Sequence, residues 1–496
     1  MSVQYEFGSA TEDRTHVMGL RTSQTAILAS GFTVAVGLAR AGGGSASSFG
    51  LAAVCVGVAA AVSLWPVSGH TLDEWIPVGV RWSMAFLRNR RRRFSALPLL
   101  GHNADGDAME APPDTLTGTR ILVVPVEGSS GREIGVAHDR HAGTYTAVLS
   151  VRGRSFQLAD TPDRQRRLAS WGSLLAGLAR ASSPIHRIQW VERTAPEDAD
   201  AMGRYLATSR AVPRDHPTLE SYLELVDRAG PAAPAHESLV VVSVAASRAQ
   251  RAIRQAGGGH DGAVQVLLRE LHGLRRQLAS ADLTVDGILT PRLLAGTMRT
   301  AFDPHARAAL ARRATAADDE GGTDPANAWP LSTETHWSSY RTADVWHATY
   351  WIAQWPRSPV GADFLAPLLL GTTAMRTVSV TMEPVSPLRA HREVEHAVVK
   401  SQADEELRAR AGFAATARRR RAQETAARRE QELADGHADY RLSGYVTVTA
   451  GSPTELEAAC GEVEQAAQQS FLDLRRLHGR QDEAFTWTLP LARGLR

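Results

Sequence analysis

Lysine is almost missing from this chain. Of 55 basic residues only Lys400 is lysine, and a P-loop needs a lysine directly ahead of Ser or Thr after a glycine-rich turn, so that its ammonium reaches the β- and γ-phosphates. Lys400 does precede Ser401, but it follows His-Ala-Val-Val in a charged stretch with no glycine near. A motor ATPase of that class is excluded. Cysteine is nearly as scarce: Cys55 and Cys460 stand far apart, which rules out a disulfide framework and a CxxC metal or redox pair. Charge of one sign is also lacking, because 55 bases against 53 acids leave a net +2 and no broad field for nucleic acid. The arginine-for-lysine bias, with abundant Ala and Gly, reflects a GC-rich genome rather than a function.

Charge is missing locally as well. Thr22 to Ala39 contains no Asp, Glu, Lys or Arg, and Ala41 to Leu72 again contains none, with a Gly/Ser-rich stretch joining the two apolar cores. Each is long enough to cross a bilayer as a helix, since roughly 20 residues span the hydrocarbon core. Arg88, Arg90, Arg91, Arg92 and Arg93 follow. Such a basic cluster resists translocation and belongs on the cytoplasmic side, where membrane lipid is its expected contact. Arg14 and Arg21 flank the first segment and only Arg40 lies between the two. The expectation is therefore a two-pass anchor in the inner (plasma) membrane over residues 1–95, with both termini and the bulk of the chain cytoplasmic. Ala39-Arg40-Ala41 has the small-x-small form of a signal cleavage site. The acidic Glu6, Glu12 and Asp13 ahead of it, and the second apolar segment behind it, argue against that reading. A buried globular hairpin is the other alternative, although soluble helices expose a polar face and these have almost none.

The rest reads as α+β. After a polar linker at Gly101 to Thr117, Arg120 to Glu127 and Thr144 to Val151 are β-branched strands. Asp163 to Arg180 is a helix, with Leu168, Trp171, Leu174, Leu175 and Leu178 on one face. Strand Ile185 to Glu192, helix Thr218 to Arg228, strand Ser238 to Ala245 and helix Gly262 to Ala279 follow. That order is the split β-α-β arrangement of a ferredoxin-like layered module, residues 118–281. After a linker with a helix (282–335), strands at Val345 to Trp355, Arg376 to Pro384 and Tyr440 to Thr449 and a helix at Pro453 to Ser470 predict a second copy over 336–496. Its insertion, 387–439, is charged throughout and fits one long helix or a helical hairpin broken at Gly412.

Few constellations carry chemistry. Gly257-Gly258-Gly259 could cradle an anion at a helix start but lacks the G-x-G-x-x-G spacing. His336 and His347 have no partner at ligand spacing, and HExxH and G-x-S-x-G are absent. Asp282, Asp286 and Asp303 read as caps and turns. Trp346, Tyr350, Trp351 and Trp355 alternate, two to a face, as core packing requires. Arg418 to Arg421 are compensated by Glu424, Glu430, Glu432 and Asp435. No catalytic, cofactor or metal residues are expected, and direct nucleic-acid binding is not.

The anchor, together with VDGILTPRLLAGTMRTAFDP (285–304), WHATYWIAQWPRSPVGADFLAPLL (346–369), the 417–450 segment and FTWTLPLARGL (485–495), resembles an actinobacterial membrane-protein family of conjugation-like secretion loci. More distantly, the anchor is similar to the PrgI-type small membrane subunit of type IV secretion systems. The soluble part is similar to the non-hydrolysing amino-terminal region of those systems' traffic ATPase. The resemblance implies a non-catalytic structural subunit that docks a separate secretion-system ATPase and other machine subunits at the membrane. Self-association into a homo-oligomer is left open. Two alternatives stand beside it: a type VII subunit similar in plan to EccE, in which anchor helices also precede a cytoplasmic domain, and a membrane-bound enzyme with an unrecognised site.

Overall fold

The computed structural model describes residues 15–17, 20–43, 45–64, 66–67, 70–88, 91–94, 112–126, 133–153, 159–180, 183–195, 213, 216–229, 235–317, 321–395 and 427–495. It begins with three helices, α1 (Thr22–Ala41), α2 (Ala46–Leu64) and α3 (Leu72–Leu87). Helices α1 and α2 fold back on each other. Gly31 lies where a Cβ would meet that of Ala59 at 2.5 Å, and the Gln24 Nε2 donates to the Ser63 carbonyl at 2.8 Å. The turn between them uses Gly43 in the left-handed region, at φ 62°, where glycine carries no Cβ penalty. Ala39 to Ala41 form the last turn of α1, inside a continuous helix.

Beyond α3 one antiparallel sheet of thirteen strands organises the described residues. Its strands are β1 (Arg92–Phe94), β2 (Thr119–Pro125), β3 (Glu133–Asp139), β4 (Thr144–Gly153), β5 (Ile185–Ala195), β6 (Ala235–Ala245) and β7 (Leu283–Ile288). They continue with β8 (Ser332–Thr335), β9 (Tyr340–Thr342), β10 (Val345–Gln354), β11 (Met375–Pro384), β12 (Tyr440–Ala450) and β13 (Asp473–Arg476). The spatial order is β1-β8-β9-β10-β12-β11-β5-β6-β4-β3-β2, with β7 also on β4 and β13 also on β10. The strands β7-β4-β6-β5 and β13-β10-β12-β11 thus repeat one pattern, fourth-first-third-second in chain order. Within each pattern a helix lies between the first and second strands and another between the third and fourth. The two patterns fuse through their second strands, with Arg376 opposite Thr194 and Met382 opposite Ile188. Strand β7 falls within the segment that the sequence presents as a linker, as do α8 (Pro291–Phe302) and β8.

Helix starts follow from local chemistry. Asp160, Thr290 and Ser452 each cap a helix: α4 (Thr161–Leu178), α8 and α11 (Pro453–Gln469). In each case the side-chain oxygen accepts a backbone N–H three residues on, and proline occupies the first turn, where its missing donor costs nothing. Helix α7 (Gly259–Ser280) presents Leu267, Leu271, Leu274 and Leu278 along one stripe, all at 2% exposure or less. With α4 it covers Tyr145, Ala147 and Leu149 of β4 and Val240, Val242 and Val244 of β6. In the second pattern Leu456, Cys460 and Val463 of α11 cover Tyr350 and Ile352 of β10 and Val446 and Val448 of β12. Helices α5 (Pro217–Ala229), α6 (Gln250–Gln255), α9 (Ala306–Ala317), α10 (Ala366–Leu370) and α12 (Gln481–Phe485) are shorter.

The opposite face is different. Alternation along β5, β10, β11 and β12 turns Gln189, His347, Thr349, Ser379, Thr381, Thr447 and Thr449 to it, all buried. Residues 481–495 lie across it as a strap. Gln189 donates from Nε2 to Ser379 Oγ and to the carbonyls of Trp487 and Leu489, at 2.8, 3.1 and 3.0 Å, and its Oε1 accepts from the Ala492 N–H at 2.8 Å. Thr447 Oγ1 lies 2.8 Å from that of Thr349 and 2.9 Å from that of Thr488. The strap ends with Arg493, whose guanidinium reaches the Thr115 carbonyl and Thr119 Oγ1, each at 2.9 Å, and also bonds Asp139. It therefore ties the second pattern to the first. Of the charged insertion, residues 387–395 and 427–434 are helical. The long helix or hairpin expected between them lies outside the described residues.

Candidate membrane-proximal site

One described helix, α2, is long and apolar enough to cross a membrane. Phe49, Leu51, Val54, Val58 and Leu64 point outward from it. Helix α1 has comparable length but carries Thr22, Ser23, Gln24, Thr25, Ser30 and Thr33, which lower its apolarity. Two of those hydroxyls, on Ser30 and Thr33, bond back to carbonyls of their own helix, at 2.9 and 2.8 Å, so the polar groups are internally satisfied. The polar Gln24 is buried against α2.

Helix α3 follows at once and docks on the sheet domain. Trp75 stacks on Trp337 with centroids 5.8 Å apart, Trp82 meets the same ring edge-on at 5.4 Å, and Trp75 also approaches His478 at 6.0 Å. Arg81 pairs with Glu483 at 2.6 Å. Burial alone would raise the Glu483 carboxyl, but the Arg480 and Arg81 guanidiniums outweigh it and hold the group below its ordinary range. Its neighbour Asp482 is raised by burial. His478 is lowered, first by burial and then by Arg476, so at neutral pH it packs on the tryptophans as an uncharged ring.

The five arginines do not form one free cluster. Arg88 closes α3 and is exposed, its N–H donating to the Met84 carbonyl at 3.0 Å. Arg90 lies outside the described residues. The Arg91 guanidinium sits 3.9 Å over the Trp82 ring and 4.4 Å from that of Phe86, a cation–π arrangement worth about 0.5–2 kcal/mol. Arg92 and Arg93 belong to β1, whose partner is β8. Arg92 pairs with Glu334 at 2.7 Å, while Arg93 bonds the Pro112 carbonyl and lies 3.9 Å from Asp114. These contacts hold the domain directly beneath α3. The acids responsible lie too far along the chain for spacing to reveal them; Glu334 is 242 residues from Arg92.

Elsewhere the candidates separate. Gly257, Gly258 and Gly259 all have positive φ, and the last two border a 680 Å³ open cavity at the start of α7, beside Arg254, Tyr145 and His260. The Tyr145 hydroxyl and His260 Nδ1 are 2.7 Å apart, and His138 stacks on Tyr145. Burial, then His260, lowers the His138 pKa. His347 is buried among Thr342, Thr449 and the Phe302 carbonyl, and burial pushes its pKa down to about 3. His336 packs on Trp346. Asp286 pairs with Arg152 and Asp282 with Arg167, while Asp303 accepts the His305 N–H. Among the described residues no group of His, Cys, Asp and Glu could hold a metal. Lys400 and Arg418 to Arg421 lie outside them.

A protein-family model described as "Putative type VII ESX secretion system translocon, EccE" matches residues 232–352, from the approach to β6 through most of β10. No curated protein matches the chain. The match overturns the resemblance to type IV, conjugation-like and PrgI-type proteins.

Proposed function

We propose that this chain is a membrane-anchored, non-catalytic subunit of a type VII secretion translocon. The match over residues 232–352 carries the reading, and the exposed apolar length of α2 supports it. In this arrangement α1 and α2 cross the plasma membrane as a two-pass hairpin, and the basic residues after α3 keep the sheet domain cytoplasmic. Its partners are other machine subunits, above all a multi-P-loop translocase that supplies the hydrolysis for which this chain has no P-loop lysine. The outer strand β2 offers a sheet edge for strand addition, and the helical residues 387–395 and 427–434 at the two ends of the charged insertion offer helical surface.

Purification of the tagged full-length chain from mild detergent, with identification of what co-elutes, tests the assignment. Co-elution in constant ratio with such a translocase and small WxG-type substrate machinery is expected. A conjugation-type ATPase in its place, or elution of the chain alone, overturns the reading. A reporter active only outside the membrane, fused to the carboxy terminus, should stay silent; activity would reverse the orientation.

A further inference from the structure

Helix α3 is apolar on two opposite sides. At about 100° per residue, Trp75, Val78 and Trp82 share the side that meets the sheet domain. On that side Val78 packs so near Gly479 that a Cβ there would lie 2.7 Å from Val78 Cγ1. Ile76, Val80, Met84 and Leu87 fall within an arc of roughly 80° on the other side. They are 51, 51, 45 and 81% exposed. A stripe of this kind in water sacrifices the stabilisation that burial gives, about 25 cal/mol per Å² of apolar surface. Among the described residues nothing covers it, because the domain engages the opposite side.

We propose that α3 lies flat in the headgroup layer of the lipid bilayer, with Ile76, Val80, Met84 and Leu87 turned into the acyl boundary. The proposal rests on the membrane reading of α2. Three observations select lipid as the occupant. The stripe is continuous in the chain with α2, from which only residues 65–71 separate it. The exposed Arg88 ends the helix and Arg91 flanks it, placing positive charge at the level of anionic headgroups. The four stripe side chains are hydrocarbon or thioether, while Arg81 and the domain-bound tryptophans stand off that arc, the segregation of apolar and polar sides that interfacial helices have. The domain would then hang from the membrane through a rigid contact, Trp75 and Trp82 on Trp337 and Arg81 on Glu483, instead of a tether.

The test places a nitroxide at Ile76→Cys, Val80→Cys, Met84→Cys or Leu87→Cys, one at a time, in full-length protein lacking the two native cysteines (Cys55→Ala, Cys460→Ala). The host is liposomes of phosphatidylcholine with phosphatidylglycerol. Collision with oxygen, which concentrates in lipid, is compared with collision with a water-soluble nickel chelate. Val54→Cys on the exposed face of α2 serves as the reference for lipid. Oxygen collision exceeding nickel collision severalfold at all four positions, and at Val54, is expected. Free nickel access at the four positions places the stripe in water and overturns the proposal. Exclusion of both reagents places a protein, or a second copy of the chain, on the stripe and overturns it equally. If Val54 itself is open to nickel, the membrane reading of α2 has failed, which is distinguishable from failure at α3 alone.

Discussion

The two faces of the thirteen-stranded sheet differ in how they are sealed: one is apolar throughout, whereas the other joins an apolar part, where α8 and Phe485, Leu489 and Leu491 of the strap meet Val148, Val191, Leu239 and Val241, to a part lined by hydroxyls and an amide. On one, α4, α7 and α11 lay leucines and valines on valines, and burial is non-directional: any well-filled arrangement of similar volume gains about the same. On the other, the strap meets Gln189, Ser379, Thr381, Thr349 and Thr447, and every hydroxyl or amide sealed there needs a partner at the right distance. The apolar face gains stability from area. The hydroxyl-lined face fixes which residue of the strap stands over which strand, because a slip of one residue would orphan several buried groups at once.

The largest expected effect tests the directional face at its hub. Gln189→Leu orphans the Ala492 N–H and removes one of two donors from the carbonyls of Trp487 and Leu489, which keep the Ser379 hydroxyl and the Leu491 N–H; at about 1–3 kcal/mol for the unsatisfied group and about 1 kcal/mol for each lost bond, the loss is about 4 kcal/mol. The matching cut in the apolar face, Leu271→Ala, should cost about 3 kcal/mol by cavity formation. Urea midpoints of the full-length protein in detergent measure both. If the order is reversed, with Gln189→Leu below 1 kcal/mol, the strap is held by its apolar residues and the contrast between faces collapses.

Acid should act on the hydroxyl face next. His347 is neutral in the fold, with its pKa pushed down to about 3 by burial, against an ordinary value near 6.5 in the unfolded chain. The unfolded state therefore binds the extra proton as pH falls below about 6.5, and stability drops by about 1.4 kcal/mol per unit, reaching about 2 kcal/mol at pH 5. The loss levels off only near the folded pKa. His347→Leu should remove one proton's worth of slope from the pH dependence between about 6.5 and 4; an unchanged slope would mean that His347 is charged or solvated in the fold.

The smallest effect is expected at Thr447→Val, which keeps shape but removes a hydroxyl shared with Thr349 and Thr488. About 1 kcal/mol is expected. Adding Thr349→Val and Thr488→Val should recover part of it, because no buried donor is then left alone, and a simple sum of three losses in the denaturation midpoints would contradict this account.

The sequence made much of the sheet legible, for identifiable reasons. The caps ahead of Pro162, Pro291 and Pro453 mark helix starts by local chemistry alone, and the β-branched runs of β4, β6, β11 and β12 alternate as half-buried strands do. Strand β7 was read as linker because it is short and holds Asp286 and Gly287, and its identity comes from pairing with β4. Helix α3 was missed for a related reason. Pro77, Gly79 and three β-branched residues weaken its local signal, and its helical state is supported by Trp337 and Glu483, far along the chain. The arginines were visible as a run, but their division among a helix cap, a tryptophan face and a strand of the sheet is a tertiary fact. The strap has almost no periodicity, so its motif could be recognised as distinctive without indicating what it covers.

The order of the strap in the chain sets a timetable for synthesis. Ala492 and Gln189, which it joins, are 303 residues apart, so at 5–20 residues per second a ribosome needs roughly 15–60 s between making one and the other. Throughout that interval the face around Gln189 stands open. The apolar part of that face, Val148, Val191, Leu239 and Val241, is also met by α8, which is made earlier, whereas the threonines, the serine and Gln189 that wait for the strap stay hydrated until it arrives. The leucine-rich face waits far less, since α4 and α7 emerge close behind the strands they shield. Hydroxyls and an amide on the patch that is covered last leave less bare hydrocarbon on the half-made chain than an all-apolar face would.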